Sequence, residues 1–258
     1  MGRFARRRFE GIEIARLDCS GQSFAPHFHD EFVVSLNLKG DERIKLDGKA
    51  LEADEGAVTL YNPSQVQSSH YLASRWQIAS MYVDPGFLVK AFDLSANTVF
   101  DRSVLVHRGA ARRMAAAIDR ALDAEVCNSE ALEGLVETLD EFLELAGSQS
   151  VRISRHVPDV LRRVADRLSE AAPAPSLAEL SVEADLTTVQ LVRAFKRAFG
   201  LPPFAWALAR RLNETRRRLE RGEAIAHVAA DLGFADQAHL TRRFRAAYGA
   251  PPGMWRRG

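Results

Sequence analysis

The sequence predicts an α+β protein of two domains: an N-terminal antiparallel β-barrel with a helical appendage, and a C-terminal all-α domain with two helix-turn-helix units joined by a long helix. Three observations predict it: short β-type runs confined to the first third, a change to helical periodicity near residue 109, and a segment of the last third that occurs twice. Leu177 to Trp206, LAELSVEADLTTVQLVRAFKRAFGLPPFAW, reappears as Ile225 to Trp255, IAHVAADLGFADQAHLTRRFRAAYGAPPGMW, with one residue inserted in the second copy's turn. Leu191, Arg193, Phe195, Gly200, Pro202, Pro203 and Trp206 fall on Leu240, Arg242, Phe244, Gly249, Pro251, Pro252 and Trp255, a constant offset of 49. Two copies of one short supersecondary unit suggest DNA read at two places.

The elements follow in order. From about Gly11 to Asp84, runs such as FVVSLNL (32–38), ERIKLDG (42–48), AVTLYNP (57–63) and WQIASMYV (76–83) are separated by Gly, Pro, Asn and Asp turns, the pattern of a small antiparallel sandwich or barrel. From Ala110 to Ala146, Met114, Ile118 and Leu122, then Leu132, Leu135, Leu139 and Phe142, recur at three and four. Cys127-Asn128-Ser129 is read as the break between two antiparallel helices. The polar GSQS at 147–150 is the expected hinge, a helix over Val157–Ala171 follows, and AAPAPS is a linker. The boundaries fall at 1–108, 109–148 and 149–258.

The chain of 258 residues, 47% hydrophobic, can bury a substantial core. Its net charge of +1 conceals an asymmetry: residues 151–258 hold 19 Arg and Lys against 11 Asp and Glu, net +8, which leaves 16 against 23, net −7, before them. One half suits a polyanion and the other does not. Two cysteines, Cys19 and Cys127, are too few for a disulfide framework or a four-thiolate metal site. MGRFARRRFEG has no apolar stretch behind it, and no run approaches the roughly 18 apolar residues of a membrane span. A cytoplasmic location with no membrane partner is expected.

In the first copy Ser176 and Glu179 have capping-box spacing, with Leu177, Leu180, Ala184 and Leu186 facing inward. Thr187 and Gln190 repeat that spacing at the start of a helix that runs to Phe199 and stops at Gly200. Asp236 takes the N-cap position in the second copy, and Gly249 closes it. Leu191 with Phe195, and Leu240 with Phe244, make the inward stripe. The outward residues, Thr188, Val189, Val192 and Arg193, and then Gln237, Ala238, His239 and Arg242, are the expected base contacts. Arg pairs with guanine, Gln with adenine, and Val or Ala packs on a thymine methyl. Lys196, Arg197, Arg243 and Arg245 are expected to meet phosphates. Between the copies Phe204, Leu208, Leu212, Thr215 and Leu219 trace one face of a helix dense in arginine, Arg210, Arg211, Arg216, Arg217, Arg218 and Arg221. A separation of about 34 Å would put the two reading helices in successive major grooves.

Residues 155–258 resemble the DNA-binding domain of the AraC/XylS family of transcription regulators. GFADQAHLTRRFRAAYGAPPGMWRR, at 233–257, is similar to that family's C-terminal signature, while Ser181 stands where Ala is commoner. PHFHDEF (26–32), Gly40 and GAVTLYNPSQVQSS (56–69) resemble the cupin-type barrel of many members. The resemblance implies a cupin-like effector-sensing barrel over 1–108 and a DNA-binding domain over 149–258. It also implies a role for the helical pair over 109–148 in packing or in a homodimer contact.

His27 and His29 alternate on a strand, as in a metallo-cupin. No Glu lies four or five residues on, where Val33 and Val34 stand, and Gln67 occupies the place of a late His; His70 could substitute only if its strand were shifted. His27 and His29 are therefore read as the hydrogen-bonded wall of a metal-free effector pocket or as a structural His pair at the strand start, and Phe32, Tyr61, Asn62 and Trp76 as further effector-pocket lining or as barrel core. The function expected is a sequence-specific regulator, activator or repressor, without enzymatic activity or cofactor. Its partners would be double-stranded DNA, a small-molecule effector and RNA polymerase. Two alternatives stay open: a metal-dependent cupin enzyme fused to a DNA-binding module, and an architectural binder indifferent to sequence.

Overall fold

Alternation along each strand sorts the first hundred residues into two antiparallel sheets with different interiors. The structure, a computed structural model, describes residues 4–19, 23–73, 75–150, 157–170 and 175–256. They divide into two compact units, residues 1–152 and 153–257. The first contains β1 (Phe4–Arg8), β2 (Ile12–Cys19), β3 (Ser23–His27), β4 (Phe32–Lys39), β5 (Glu42–Leu46), β6 (Lys49–Ala53), β7 (Val58–Tyr61), β8 (Gln67–Tyr71) and β9 (Trp76–Val83). Helix α1 (Pro85–Ala91), β10 (Thr98–Phe100), β11 (Val104–Leu105), α2 (Arg108–Leu122), α3 (Asn128–Ala146) and β12 (Ser148–Ser150) complete it. One sheet has the order β1-β2-β9-β4-β7-β11, the other β3-β8-β5-β6, and β10 pairs with β12.

Local chemistry sets these elements. Asp47 and Gly48, both at positive φ (47° and 88°), form the two-residue turn of the β5–β6 hairpin, so β5 stops two residues before the predicted run does. In β4, Phe32, Val34 and Leu36 join Met114, Ile118, Leu135, Leu139 and Phe142 in the sheet–helix core, whereas Val33 meets Ile44, Leu46 and Tyr61 between the sheets. The arginine-rich start is strand β1. From it Arg7 donates to the carbonyls of Ala121 (3.1 Å), Asp123 (2.6 Å) and Val126 (3.0 Å), which lie at the end of α2 and in the turn beyond, and to Asn128 Oδ1 (2.8 Å). Where the sequence predicts a hinge, Gly147 ends α3 at φ 66°, and Ser148–Ser150 pairs with Thr98–Phe100. Residues 151–156, which follow the predicted hinge, and most of the AAPAPS linker lie outside the described residues.

The second unit is α4 (Asp159–Glu170), α5 (Leu177–Glu183), α6 (Thr188–Phe199), α7 (Pro203–Glu220), α8 (Ile225–Asp231), α9 (Gln237–Tyr248) and α10 (Pro252–Trp255). Leu161, Val164 and Leu168 of α4 pack with Leu180, Leu191, Phe195 and Ala207. The later half of α7 packs on α8, α9 and α10, and Tyr248 donates a buried hydrogen bond to Asn213 Oδ1 at 2.6 Å. The buried face of α7 corrects the predicted one. Pro203, Ala207 and Ala209 are inside, whereas Phe204 is 41% exposed and Leu208 half-buried; Leu212, Thr215 and Leu219 are buried as expected.

Candidate nucleic-acid interface and inter-sheet interior

The two reading helices are built by the same local devices. Ser176 and Glu179 form both bonds of a capping box on α5, and Thr187 and Gln190 form both on α6. Asp236 accepts the His239 N–H at 2.6 Å at the start of α9. Gly200 and Gly249 close α6 and α9 in the left-handed region, at φ 78° and 73°, their N–H groups bonded at 2.9 Å to Lys196 and Arg245 carbonyls. The turns preceding them differ by the inserted residue. Asp185 (φ 52°) and Gly233 (φ 70°) hold the left-handed position, two residues before Thr187 in one copy and three before Asp236 in the other.

Thr188, Val189 and Arg193 of α6, and Gln237, Ala238 and Arg242 of α9, are exposed; Val192 and His239 are half-buried. Lys196, Arg197, Arg243 and Arg245 are exposed farther along. Among the described residues Arg193, Lys196, Arg197 and Arg242 enter no ion pair. His239 sits against the turn: Nδ1 lies 3.4 Å from the Ala235 N–H, Nε2 lies 3.3 Å from Arg243 Nε, and the ring meets Phe234 edge-on. A neutral imidazole has one acceptor nitrogen, so only one of these long contacts is a hydrogen bond. Its counterpart Gln190 commits Oε1 to capping and keeps its amide nitrogen on the exposed face, which the sequence reading passed over.

The arginines of α7 are used differently from the polyanion surface their density suggests. Arg218 donates to Glu223 and Asp231, both at 2.6 Å, which raises its pKa through Glu223 first. Arg221 reaches Glu223 (3.1 Å) and Glu214 (3.4 Å), and Arg217 lies 3.6 Å from Glu214. Arg216 is buried 3.7 Å from Glu220, and Arg211 lies over Phe234, its pKa lowered by burial. Arg218 thereby ties α7 to α8 and Arg211 packs on the turn after α8, while the pairs of Arg216, Arg217 and Arg221 lie within α7 and its C-terminal turn.

The space between the sheets collects polar side chains. His27 Nδ1 is 2.7 Å from the Ala25 carbonyl, and Nε2 is 3.3 Å from Gln67 Nε2, which fixes Nδ1–H as the donor. The His27 and His29 rings are 4.9 Å apart, and His29 meets Tyr82 at 5.3 Å. Trp76 stacks on Tyr71 at 3.7 Å, and Tyr61 is buried nearby in the small inter-sheet cluster. Burial raises the Glu42 pKa against hydrogen bonds with Ser69, Tyr71 and Asn37, and burial followed by Glu42 raises that of Tyr61. Among the described residues Asn37 Oδ1 and Trp76 Nε1 are buried without a hydrogen-bond partner. Two predicted wall residues lie elsewhere. Phe32 faces the sheet–helix core against Phe100, and Asn62 spends its amide on the Phe100 N–H (2.7 Å) and carbonyl (3.1 Å). His70 is exposed, sharing a 2.7 Å hydrogen bond with Ser23.

Burial lowers the His27 pKa from 6.5 to about 4, partly offset by the bond to Ala25. A depressed folded pKa contributes stability that is present above 6.5 and lost as pH falls toward 4. Stability of the N-terminal unit is therefore expected to decline by roughly 3 kcal/mol across that window through His27. Glu42, raised, has the opposite slope, so the measurement is denaturant unfolding of wild type and His27→Gln from pH 7 to 4. A wild-type decline no steeper than the variant's would show that His27 is charged when folded.

Residues 180–258 match a family model described as a helix-turn-helix domain, and residues 11–139, half of the chain, match the AraC-like ligand binding domain. The chain belongs to the AraC family. AraC-family proteins are DNA-binding transcription regulators with an N-terminal ligand-binding domain. This member is 22% identical to the arabinose operon regulatory protein of Escherichia coli strain K12, over 88% of this chain and 80% of that one. It is 24% identical to the HTH-type transcriptional regulator YbfI of Bacillus subtilis strain 168, over 89% and 86%. In fold it is similar to ToxT from Vibrio cholerae O395, with a TM-score of 0.58 at 10% identity, covering 95% of this chain and 97% of ToxT. A ToxT structure with bound unsaturated fatty acid gives the same TM-score. Ser181, at the family's commoner Ala position, is buried and donates to the Ala178 carbonyl at 2.9 Å. Among the described residues of this AraC-family chain no helix is long and apolar enough to cross a membrane.

Proposed function

We propose that this AraC-family regulator reads double-stranded DNA sequence-specifically, with α6 and α9 each entering a major groove. The observation that carries this reading is the pair Arg193 and Arg242: equivalent positions on two twelve-residue helices capped at both ends, exposed and without an ion pair among the described residues. Guanidinium groups held this way can pair bidentately with guanine. Thr188, Val189, Val192, Gln237, Ala238 and His239 complete the base-facing set, Gln190 adds a donor, and Lys196, Arg197, Arg243 and Arg245 face phosphates.

The test is selection of duplexes from a random library by the full-length protein at near-physiological salt. Two enriched boxes about one helical turn apart are the expected result. Salt-sensitive binding with no enrichment would overturn it in favour of an architectural binder. On the selected site Lys196→Ala is expected to reduce the salt slope by about one unit with the preferred sequence unchanged. A changed sequence preference would place Lys196 on a base.

The effector is a small molecule taken between the sheets, beside His27, His29, Tyr61 and Trp76. The buried polar groups there, including the unpartnered Asn37 Oδ1 and Trp76 Nε1, support this reading, since unsatisfied polar atoms cost stability unless something completes them. Binding that favours one of two states would bias DNA recognition or contact with RNA polymerase. The protein acts in the cytoplasm as a regulator rather than an enzyme, and as a homodimer through α2 and α3.

A further inference from the structure

A groove of about 270 Å³ opens on the N-terminal unit between the end of β4 and the first turns of α2. Leu36 and Leu38 of β4, with Ala111 and Ala115 of α2, give it an apolar floor. Asn37 contributes to the wall, its backbone N–H and carbonyl bonded to Ala57 and Gly56 at 3.0 and 2.7 Å. Arg108 and Arg112 stand at the rim one helical turn apart, both exposed. Their treatment is unlike that of their neighbours. Arg113 and Arg120 on the same helix are paired with Glu141 and Glu130, whereas among the described residues Arg108 and Arg112 have no protein acceptor.

One carboxylate also lines the groove, that of Glu55, whose Oε2 accepts the Gly40 N–H at 3.2 Å. Two guanidinium groups against one carboxylate leave the groove with a net charge of +1. We propose that it binds a small monoanionic amphiphile, with a carboxylate or sulfonate head between Arg108 and Arg112 and an apolar body on Leu36, Leu38, Ala111 and Ala115. Planar guanidinium forks match such a head group, and a doubly charged one would meet Glu55. The volume lies near the small end for ligand sites, which suits a compact ring system better than a long chain. This site is separate from the inter-sheet interior and does not depend on what the interior binds.

The test titrates the full-length protein with 8-anilinonaphthalene-1-sulfonate and, in parallel, with N-phenyl-1-naphthylamine, which has the same rings without the sulfonate. The sulfonate is expected to saturate at one site per chain and to bind at least tenfold more weakly to Arg108→Gln/Arg112→Gln. The uncharged probe should bind weakly and equally to both proteins. Removing two charges elsewhere, in Lys45→Gln/Arg163→Gln, should leave sulfonate binding unchanged. An unaltered thermal transition in the groove variant would show that the loss is not unfolding. Equal sulfonate binding by the groove variant, no saturable binding by wild type, or an equal loss in the control variant would each overturn the proposal.

Discussion

A chain carrying Arg193→Ala and Arg242→Ala together is expected to lose about 2–6 kcal/mol on its selected DNA site, roughly 30-fold to 2 × 10⁴-fold in affinity. Each guanidinium contributes about 1–3 kcal/mol if it pairs with a base, and the two sit on different helices without shared partners, so the losses should add. On random duplex the same protein should lose little beyond two charges, so the ratio of specific to nonspecific binding collapses. Each single variant should relax preference at one base pair, the two positions lying in different boxes. Unfolding should be unaffected, because both side chains are exposed and neither holds an ion pair among the described residues. Binding measured on both duplexes decides it: equal weakening on the two would mean that these arginines lie on phosphates.

The double reader was legible because its determinants are local. Capping boxes at Ser176 and Thr187, glycines at 200 and 249 and apolar residues four apart each follow from near neighbours in sequence, and the structure has them all. The partners of the α7 arginines were local only in part, since Glu214, Glu220 and Glu223 are near in sequence. Arg218 also meets Asp231 from the next helix, and Arg211 reaches over Phe234, contacts that only the fold supplies. His239, read as an outward residue, is half-buried, with the Ala235 N–H and the Phe234 ring of the preceding turn beside it.

In the N-terminal unit, alternation found the strong strands and hid the weak ones. β4 and β9 bury nearly every residue and are rich in β-branched and apolar side chains. β1 is FARRR, an edge strand whose arginines discourage further pairing and, through Arg7, hold the α2–α3 turn, so its composition masks its structure. The inter-sheet interior was half visible. His27 and His29 signalled it, but Glu42, Tyr71 and Tyr82 come from separate strands, and only register brings them to the same side. Phe32 lies outside that interior by parity: β4 turns even-numbered residues toward the helices and odd-numbered ones toward the other sheet.

Phe244→Ala is expected to cost about 3–5 kcal/mol of stability in the C-terminal unit, by loss of buried ring and an unfilled cavity. Phe244 is fully buried, 4.6 Å from the Tyr248 ring and 6.0 Å from Trp255, and Phe195 holds the same position in the first copy against Phe199 and Trp206. The two cores share one helix: α7 gives Ala207 to the first and, through Asn213 bonded to Tyr248, packs on the second. If that rigid helix couples them, a cavity in one copy must weaken both. Hydrogen exchange resolves this, since amides of α6 lie outside the copy that Phe244→Ala alters. Faster exchange in α6 as well as α9, by a similar free energy, is the expected outcome. Acceleration confined to α8, α9 and α10 would mean two independently stable readers, and the fixed spacing between recognition helices would then need a source other than α7.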